Sequence, residues 1–284
     1  MIDNEKLNCY LVAWHLSTPL LLKQTMTSQI YTVVHDSEMV VLKLLSSSEV
    51  DEQRGALALR CFDGHGAVRI LRYDDGAQLM EYAAGDELVQ LVERGEDENA
   101  TRIIAQVIQQ LHGVPQDVPK DGMVMLDHWF EALFVRAAAD KQAGLESIYV
   151  RSASLAERLL ADQRDIWVLH GDLQHYNIRH TSRGWLAFDP KGVVGERTYD
   201  CANTLCNPVM PELVHNETRL LNNATILADT LALELERVLA FTYAYACLNA
   251  SWWLQLGDRK GAEEIVRWHL KIAAIIEPHI KMLL

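Results

Sequence analysis

Near residue 83 the chain changes character once. From about Pro19 to Tyr82 it reads as short extended runs, PLLLKQ, QIYTVVH and MVVLKLL, then a helical run and two more extended pieces. After Ala84 apolar residues recur almost everywhere at helical spacing. A sheet-rich first part followed by a helical remainder is the mark of an α+β chain and excludes an alternating parallel-sheet architecture. At 284 residues the chain is longer than a usual single domain, so one large domain or two lobes sharing a cleft is expected.

The polar turn His35-Asp36-Ser37-Glu38 joins the second and third strands into an antiparallel meander. Ser46 with Glu49 has the form of a capping box, which predicts a helix from Glu49 to Phe62. Strands around GAVRILRY and AQLMEY follow, separated by Asp74-Asp75-Gly76. In the second part, helices are expected over Asn99 to His112, Asp127 to Ala143, Tyr149 to Ala161, Asn222 to Leu256 and Ala262 to Leu283, some with breaks. One extended region interrupts them, from Trp167 to about Phe188, with Arg183-Gly184 as its turn. No repeat or low-complexity linker is present, so two lobes, 1–83 and 84–284, would meet at a short hinge around Glu81 to Ala84.

The formal net charge of −13 disfavours nucleic acid as a partner and would suit a cationic small molecule, although solubility alone also accounts for it. Cys9, Cys61, Cys201, Cys206 and Cys247 are odd in number, scattered and never spaced as CxxC, which argues against a disulfide framework or a zinc site and for a reducing cytoplasm. The start, MIDNEKLNCYLVAWHL, lacks a basic region ahead of an apolar run, so no secretion signal is expected. Val238 to Leu256 carries no formal charge, but Thr242, Asn249, Ser251 and Gln255 interrupt it; it reads as a helix buried in a large lobe, not a membrane span.

The chemistry is concentrated in VLHGDLQHYNI and the FDP that follows a hairpin. Asp172 and Asn177 lie on one loop after an apolar strand, and Asp189 can fold back over it. Three hard oxygen donors thus converge, as phosphoryl transfer requires: a positioned hydroxyl, magnesium on the phosphates and a cation on the phosphates that stay. Asn177 and Asp189 suffice to hold magnesium on a triphosphate. Asp172 is left to orient an acceptor hydroxyl and take its proton. His170 is expected to hold the loop. Lys191 and His175 stand beside these positions, as contacts of phosphate or acceptor or as solvent-facing loop residues. Lys43, a lone cation in VVLKLL, needs an anionic partner such as ATP phosphates, unless it is an edge-strand lysine with its head in water. In LMEYAAG, backbone groups of Glu81 and Ala83 are expected to meet an adenine edge, although plain strand core explains the segment equally well.

HGDLQHYNI together with LAFDPKGVVGERTYDCANTLCNP resembles the aminoglycoside and hydroxyurea resistance kinases, the family that includes streptomycin 6-phosphotransferases, and the similarity extends through GAVRIL, LMEYA and the AYAC helix. The resemblance implies a two-lobed protein-kinase-like fold, with a small β-rich lobe that binds ATP and a larger helical lobe carrying the catalytic loop, the magnesium site and the acceptor. It implies transfer of the γ-phosphoryl group of ATP, with magnesium, to a hydroxyl of a small molecule. It casts Glu52 as the partner of Lys43, with Glu49 as the competing choice. It casts Asp200 as a brace of the catalytic loop, and Asn207 and Pro208 as structural. Where kinases place a glycine-rich loop this chain has KQTMTSQIY; the family tolerates a serine there, so Thr27, Ser28 and Gln29 become candidate phosphate donors. A metabolite kinase acting on an amino-alcohol or sugar, and a nucleotide-binding module without catalysis, are the competing functions.

Overall fold

A computed structural model describes residues 4–25, 27–46, 50–113, 122–257 and 260–283, with the side chains of 4 and 50–52 also outside the description. The chain opens with helix α1 (Asn4–Ala13), followed by strands β1 (Ser17–Gln24), β2 (Ser28–His35) and β3 (Glu38–Leu45), helix α2 (Val50–Phe62), and strands β4 (Ile70–Tyr73) and β5 (Ala77–Glu81). The five strands form an antiparallel sheet in the order β1-β2-β3-β5-β4. This is the expected meander, helix and strand pair. The capping box cannot be placed, because Glu49 lies outside the described residues.

Strand alternation sorts the sheet into two faces. Tyr31, Val33, Val40, Leu42, Leu44, Ala77 and Leu79 form one apolar cluster, covered by Leu7, Tyr10, Leu11 and Trp14 around α1. Lys6 Nζ donates to the Leu45 carbonyl (2.6 Å) and Tyr10 Oη to Asp74 Oδ1 (2.7 Å), fastening that helix to the sheet. The opposite face presents Ile30, Val41, Lys43, Gln78 and Met80 to an open cleft. Lys43 is therefore not an edge-strand lysine: β3 is the central strand, and its alternation turns this residue inward.

Beyond the sheet come α3 (Val89–Glu93), α4 (Asp97–Leu111), β6 (Val124–Met125), α5 (Leu126–Trp129), α6 (Glu131–Gln142), α7 (Ile148–Ala161), β7 (Ile166–Leu169), β8 (Ile178–Thr181), β9 (Gly184–Ala187), β10 (Val193–Glu196), α8 (Ala202–Leu205), α9 (Pro211–Val214), α10 (Glu217–Leu231), α11 (Leu235–Gln255) and α12 (Ala262–Ile276). The run expected from Asp127 to Ala143 divides at Phe130. The run expected from Asn222 to Leu256 begins at Glu217, where the Asn216 side chain accepts from Arg219 N (3.0 Å), and breaks at Ala232, which is left-handed (φ 53°). Pro278 ends α12 in a 3-10 turn, earlier than expected. Helix α11 is buried along most of its length, and among the described residues no helix is long and apolar enough to cross a membrane. Helix α1 and strand β10 fall outside the sequence expectations. Strand β10 pairs antiparallel with β7 and parallel with β6.

Candidate active site

Two registers assemble the site. In the β7–β10 ladder Leu169 faces Val193, so the segment leaving β7 and the segment entering β10 run side by side. The Lys191 N–H extends the ladder by donating to the His170 carbonyl (2.8 Å). In the β8–β9 hairpin Ile178 faces Ala187, and the Phe188 N–H donates to the Asn177 carbonyl (3.0 Å). Asp172, Asn177, Asp189 and Lys191 are thereby brought to one place although up to nineteen positions separate them in sequence.

Asp172 uses its two oxygens differently. Oδ1 accepts a hydrogen bond from Asn203 Nδ2 (2.7 Å), while Oδ2 meets Asn177 Nδ2 (3.2 Å) and lies 3.8 Å from Lys191 Nζ. Burial pushes its carboxyl up to about 6; Lys191 opposes that rise, the Asp189 carboxylate adds to it, and the two amides oppose it. Asn177 Nδ2 also donates to the Asp172 carbonyl (2.8 Å), which commits the amide nitrogen and makes Oδ1 the atom that could meet a metal.

Asp189 has a left-handed backbone (φ 62°), an uncommon conformation for a non-glycine residue. It receives Lys43 Nζ on Oδ1 (2.7 Å) and Lys191 Nζ on Oδ2 (3.2 Å). Burial alone would raise this carboxyl, but the two cations outweigh it and hold the group well below the usual carboxylate range. An anionic carboxylate beside an amide oxygen is a hard donor pair that fits magnesium shared with phosphates and water. Among the described residues no three His, Cys, Asp or Glu form a cage that would hold a metal by themselves.

His170 is fully buried, and burial lowers its imidazole to about 4. Its Nε2 donates to the Phe188 carbonyl (3.0 Å) and its Nδ1 accepts from the Asp172 N–H (3.3 Å), so the neutral ring ties the candidate catalytic loop, 170–177, to the 188–191 segment. Asp200 sits behind that loop. It accepts from the His170 and Gly171 amides (3.0 and 2.8 Å) and bonds His112 Nε2 (3.1 Å). Burial would raise the Asp200 carboxyl; His112, His170 and the Gly171 amide together hold it low.

The cleft above has a volume of about 750 Å³. Ser28, Lys43, Glu81, Ala83, Asn177, Asp189 and Lys191 all line it, so one cavity joins the sheet residues to the catalytic loop. In place of glycines the β1–β2 turn carries hydroxyls: Thr25 Oγ1 lies 3.0 Å from Ser28 Oγ, and it accepts the Thr27 and Ser28 amides (3.2 and 2.9 Å). Gln29 does not join them, because alternation turns its amide away to accept from Tyr31 Oη (2.9 Å). The Glu81 N–H is spent on the Arg69 carbonyl (2.9 Å) and cannot also meet a base. The Glu81 carboxylate is clamped by Arg183 Nε and Nη2 (2.9 and 2.5 Å).

Two sequence candidates are not described and a third lies away from the cleft. Glu49 lies outside the described residues, and although Glu52 falls within α2 its side chain does too, so the pairing of either with Lys43 is not described. His175 neither faces solvent nor reaches the cleft. Its ring is buried, burial and the nearby Arg219 lower it to about 3, and among the described residues neither ring nitrogen has a hydrogen-bond partner. Asp97, at the start of α4, is held by Arg219 Nε and Nη2 (both 2.8 Å) and by Asn223 Nδ2 (2.8 Å).

Asn203, His112 and Gly55 carry parts of the site that the sequence reading missed. Asn203 follows Asp200 by three positions, a spacing that puts both on one helical face, so a signal existed. Its amide is oriented in turn by Asn207 Nδ2, which donates to Asn203 Oδ1 (2.8 Å). Gly55 lets α2 approach the loop: a Cβ there would stand 2.5 Å from the Pro190 carbonyl oxygen.

Residues 13–257 match the family described as aminoglycoside/hydroxyurea antibiotic resistance kinase. The chain belongs to this family. The streptomycin 3''-kinase of Klebsiella pneumoniae is 38% identical over 210 residues, covering 72% of this chain and 76% of its own. The hydroxyurea phosphotransferase of Kitasatospora aureofaciens is 29% identical over 255 residues, 88% and 72% of the two chains. The streptomycin 6-kinase of Streptomyces griseus is 26% identical over 232 residues, 78% and 73%. The kinase-like fold is shared with a choline/ethanolamine kinase family protein from Mesorhizobium loti (TM-score 0.68, 12% identity, 98% of this chain and 97% of that one). It is also shared with the aminoglycoside phosphotransferase APH(2'')-IIa in its gentamicin complex (TM-score 0.65, 12% identity, 96% and 99%). The protein is thus a small-molecule kinase with a sheet-rich N-terminal part and a helical C-terminal part.

Proposed function

We propose that this kinase moves the γ-phosphoryl group of ATP, with magnesium, to a hydroxyl of a small molecule, and that a streptomycin-like aminoglycoside is the first acceptor to test, with hydroxyurea second. The observation that carries the reading is the convergence of Asn177, Asp189 and Lys43 on one cleft, with Asp172 Oδ2 3.2 Å from Asn177 Nδ2. Residues 1–83 form the ATP-binding lobe in this account, and 84–284 the lobe of the catalytic loop, metal and acceptor. The net charge of −13 suits a cationic acceptor, and five free thiols suit a reducing cytoplasm.

Lys43 leaves Asp189 for the α- and β-phosphates, and the carbonyl of Glu81 with the backbone of Ala83 receives the base. The Thr25–Ser28 turn offers amides and hydroxyls, Ser28 among them, to the phosphates. Asn177 Oδ1 and Asp189 hold the magnesium ion, which when bound neutralises phosphate charge. Asn203 keeps Asp172 Oδ1, so Oδ2 takes the acceptor proton as the acceptor oxygen bonds to Pγ and ADP departs. Because the charge on the acceptor oxygen develops late, positioning by Asp172 outweighs basicity.

The competing metabolite-kinase reading shares every step except the acceptor. ADP release should be measured with streptomycin, other aminoglycosides, hydroxyurea and amino-alcohols. Release dependent on streptomycin or hydroxyurea supports the proposal; release with amino-alcohols alone favours a metabolite kinase; no acceptor-dependent release leaves a nucleotide-binding module.

A further inference from the structure

We propose that Lys191 is a catalytic residue that contacts a non-bridging oxygen of the γ-phosphoryl group during transfer, an inference that rests on the phosphotransferase reading above. Its Nζ stands 3.2 Å from Asp189 Oδ2 and 3.8 Å from Asp172 Oδ2, between the candidate metal ligand and the candidate base. In-line transfer must pass between those two groups, since one side holds the nucleotide phosphates and the other the acceptor hydroxyl.

The two cations at Asp189 are not equivalent. Lys43 is buried and reaches Oδ1 from the sheet, whereas Lys191 reaches Oδ2 from the loop and is 30% exposed along the cleft. Its backbone is fixed on both sides. The Lys191 N–H donates to the His170 carbonyl (2.8 Å), and at Gly192, left-handed with φ 65°, a Cβ would stand 2.4 Å from the Arg54 carbonyl oxygen. Only the flexible stem of Lys191 is left to move.

Charge gives the cation its task. The transferring group carries negative charge on its three outer oxygens as it nears the Asp172 carboxylate, and like charges at that range oppose approach. An ammonium already held between Asp172 and Asp189 offsets this repulsion without reorganising. The step balances as acceptor O–Pγ bond formation and cleavage of Pγ from the β,γ-bridging oxygen, which leaves on ADP. The acceptor proton passes to Asp172 Oδ2, and Lys191 keeps its own protons throughout.

Lys191→Met should lower kcat on the order of 100-fold, with magnesium-ATP affinity within about threefold of wild type. Replacing ATP with its γ-thiophosphate analogue separates contact from scaffolding. The ammonium bonds oxygen better than sulfur, so the wild-type rate ratio between the two nucleotides should shrink roughly tenfold in Lys191→Met and largely return in Lys191→Arg. Lys191→Gln gives the same comparison if Lys191→Met fails to fold. Unchanged turnover in the neutral variants, or equal slowing with both nucleotides, would overturn the inference while leaving the phosphotransferase reading intact. Absence of transfer by the wild-type protein would overturn both.

Discussion

Asp172 shows how much of the site depends on single oxygen atoms. Asn203 occupies Oδ1 and is itself oriented by Asn207, so the proposed base would be aimed by an amide that need not touch substrate. Asn203→Ala should lower kcat by about 10- to 100-fold, because a misplaced catalytic group costs rate more than binding. Steady-state kinetics check this, with KM for ATP expected to stay near the wild-type value. A different residue sets a pH limit on stability. His269 is buried, its Nδ1 bonds the Ile265 carbonyl (3.0 Å), and burial lowers its imidazole to about 4. An unfolded chain protonates this ring below about pH 6.5, whereas the folded chain resists until about pH 4. The unfolded state therefore binds more protons in that window, and stability falls as pH drops through it, by on the order of 3 kcal/mol for this residue. His269→Gln should make the denaturation midpoint fall less steeply with pH between 6.5 and 4, with His170 and His175 keeping part of the slope; an unchanged slope would remove His269 from the account.

Helix α2 meets the 189–192 segment through two bare backbones, at Gly55 and Gly192. Gly55→Ala would drive a methyl group into the Pro190 carbonyl oxygen, and overpacking of this kind costs about 1–3 kcal/mol. Activity should fall further than stability, because the displaced segment carries Asp189; thermal unfolding and turnover on the same sample check it. This contact also shows what a sequence can convey about a fold. The meander of β1 to β3, the helix after it and the helical second half were legible, because period-2 and period-3.6 patterns are local. Asp172, Asn177 and Asp189 stand out in the sequence because phosphoryl transfer would need those residue types at short spacing, and Lys43 stands out as a lone cation in an apolar strand; the structure puts all four near one another. Gly55, Asn203 and His112 were not legible, since their meaning depends on which elements pack together. Leu7, Tyr10 and Leu11 in α1 and Trp14 just after it recur at helical spacing, but nothing local states that this stripe caps the sheet. Strand β10 is four residues long and includes a glycine, too short and too plain to stand out.

Across the molecule, two charged contacts tie the walls of the cleft together. The Glu81–Arg183 pair joins the end of β5 to the β8–β9 hairpin, and Arg183 also donates to the Gly64 and Ala67 carbonyls (2.8 and 3.2 Å). The Lys43–Asp189 pair joins the sheet to the 188–191 segment. A nucleotide bound between these contacts stabilises the folded chain by mass action. Magnesium-ATP at about 100 times its dissociation constant should add about 2.7 kcal/mol, read as a rise in Tm, and Lys43→Met should diminish that rise. The central claim is that Asp172 directs phosphoryl transfer to a small hydroxylated molecule. Mass spectrometry of streptomycin incubated with ATP, magnesium and either wild-type protein or Asp172→Asn tests it most directly, with hydroxyurea in a parallel reaction. The account predicts one added phosphoryl group on an acceptor with the wild-type protein, and at least about 1,000-fold less product with Asp172→Asn, which still binds magnesium-ATP. Equal product from the two proteins, or none from the wild type with either acceptor, would contradict it.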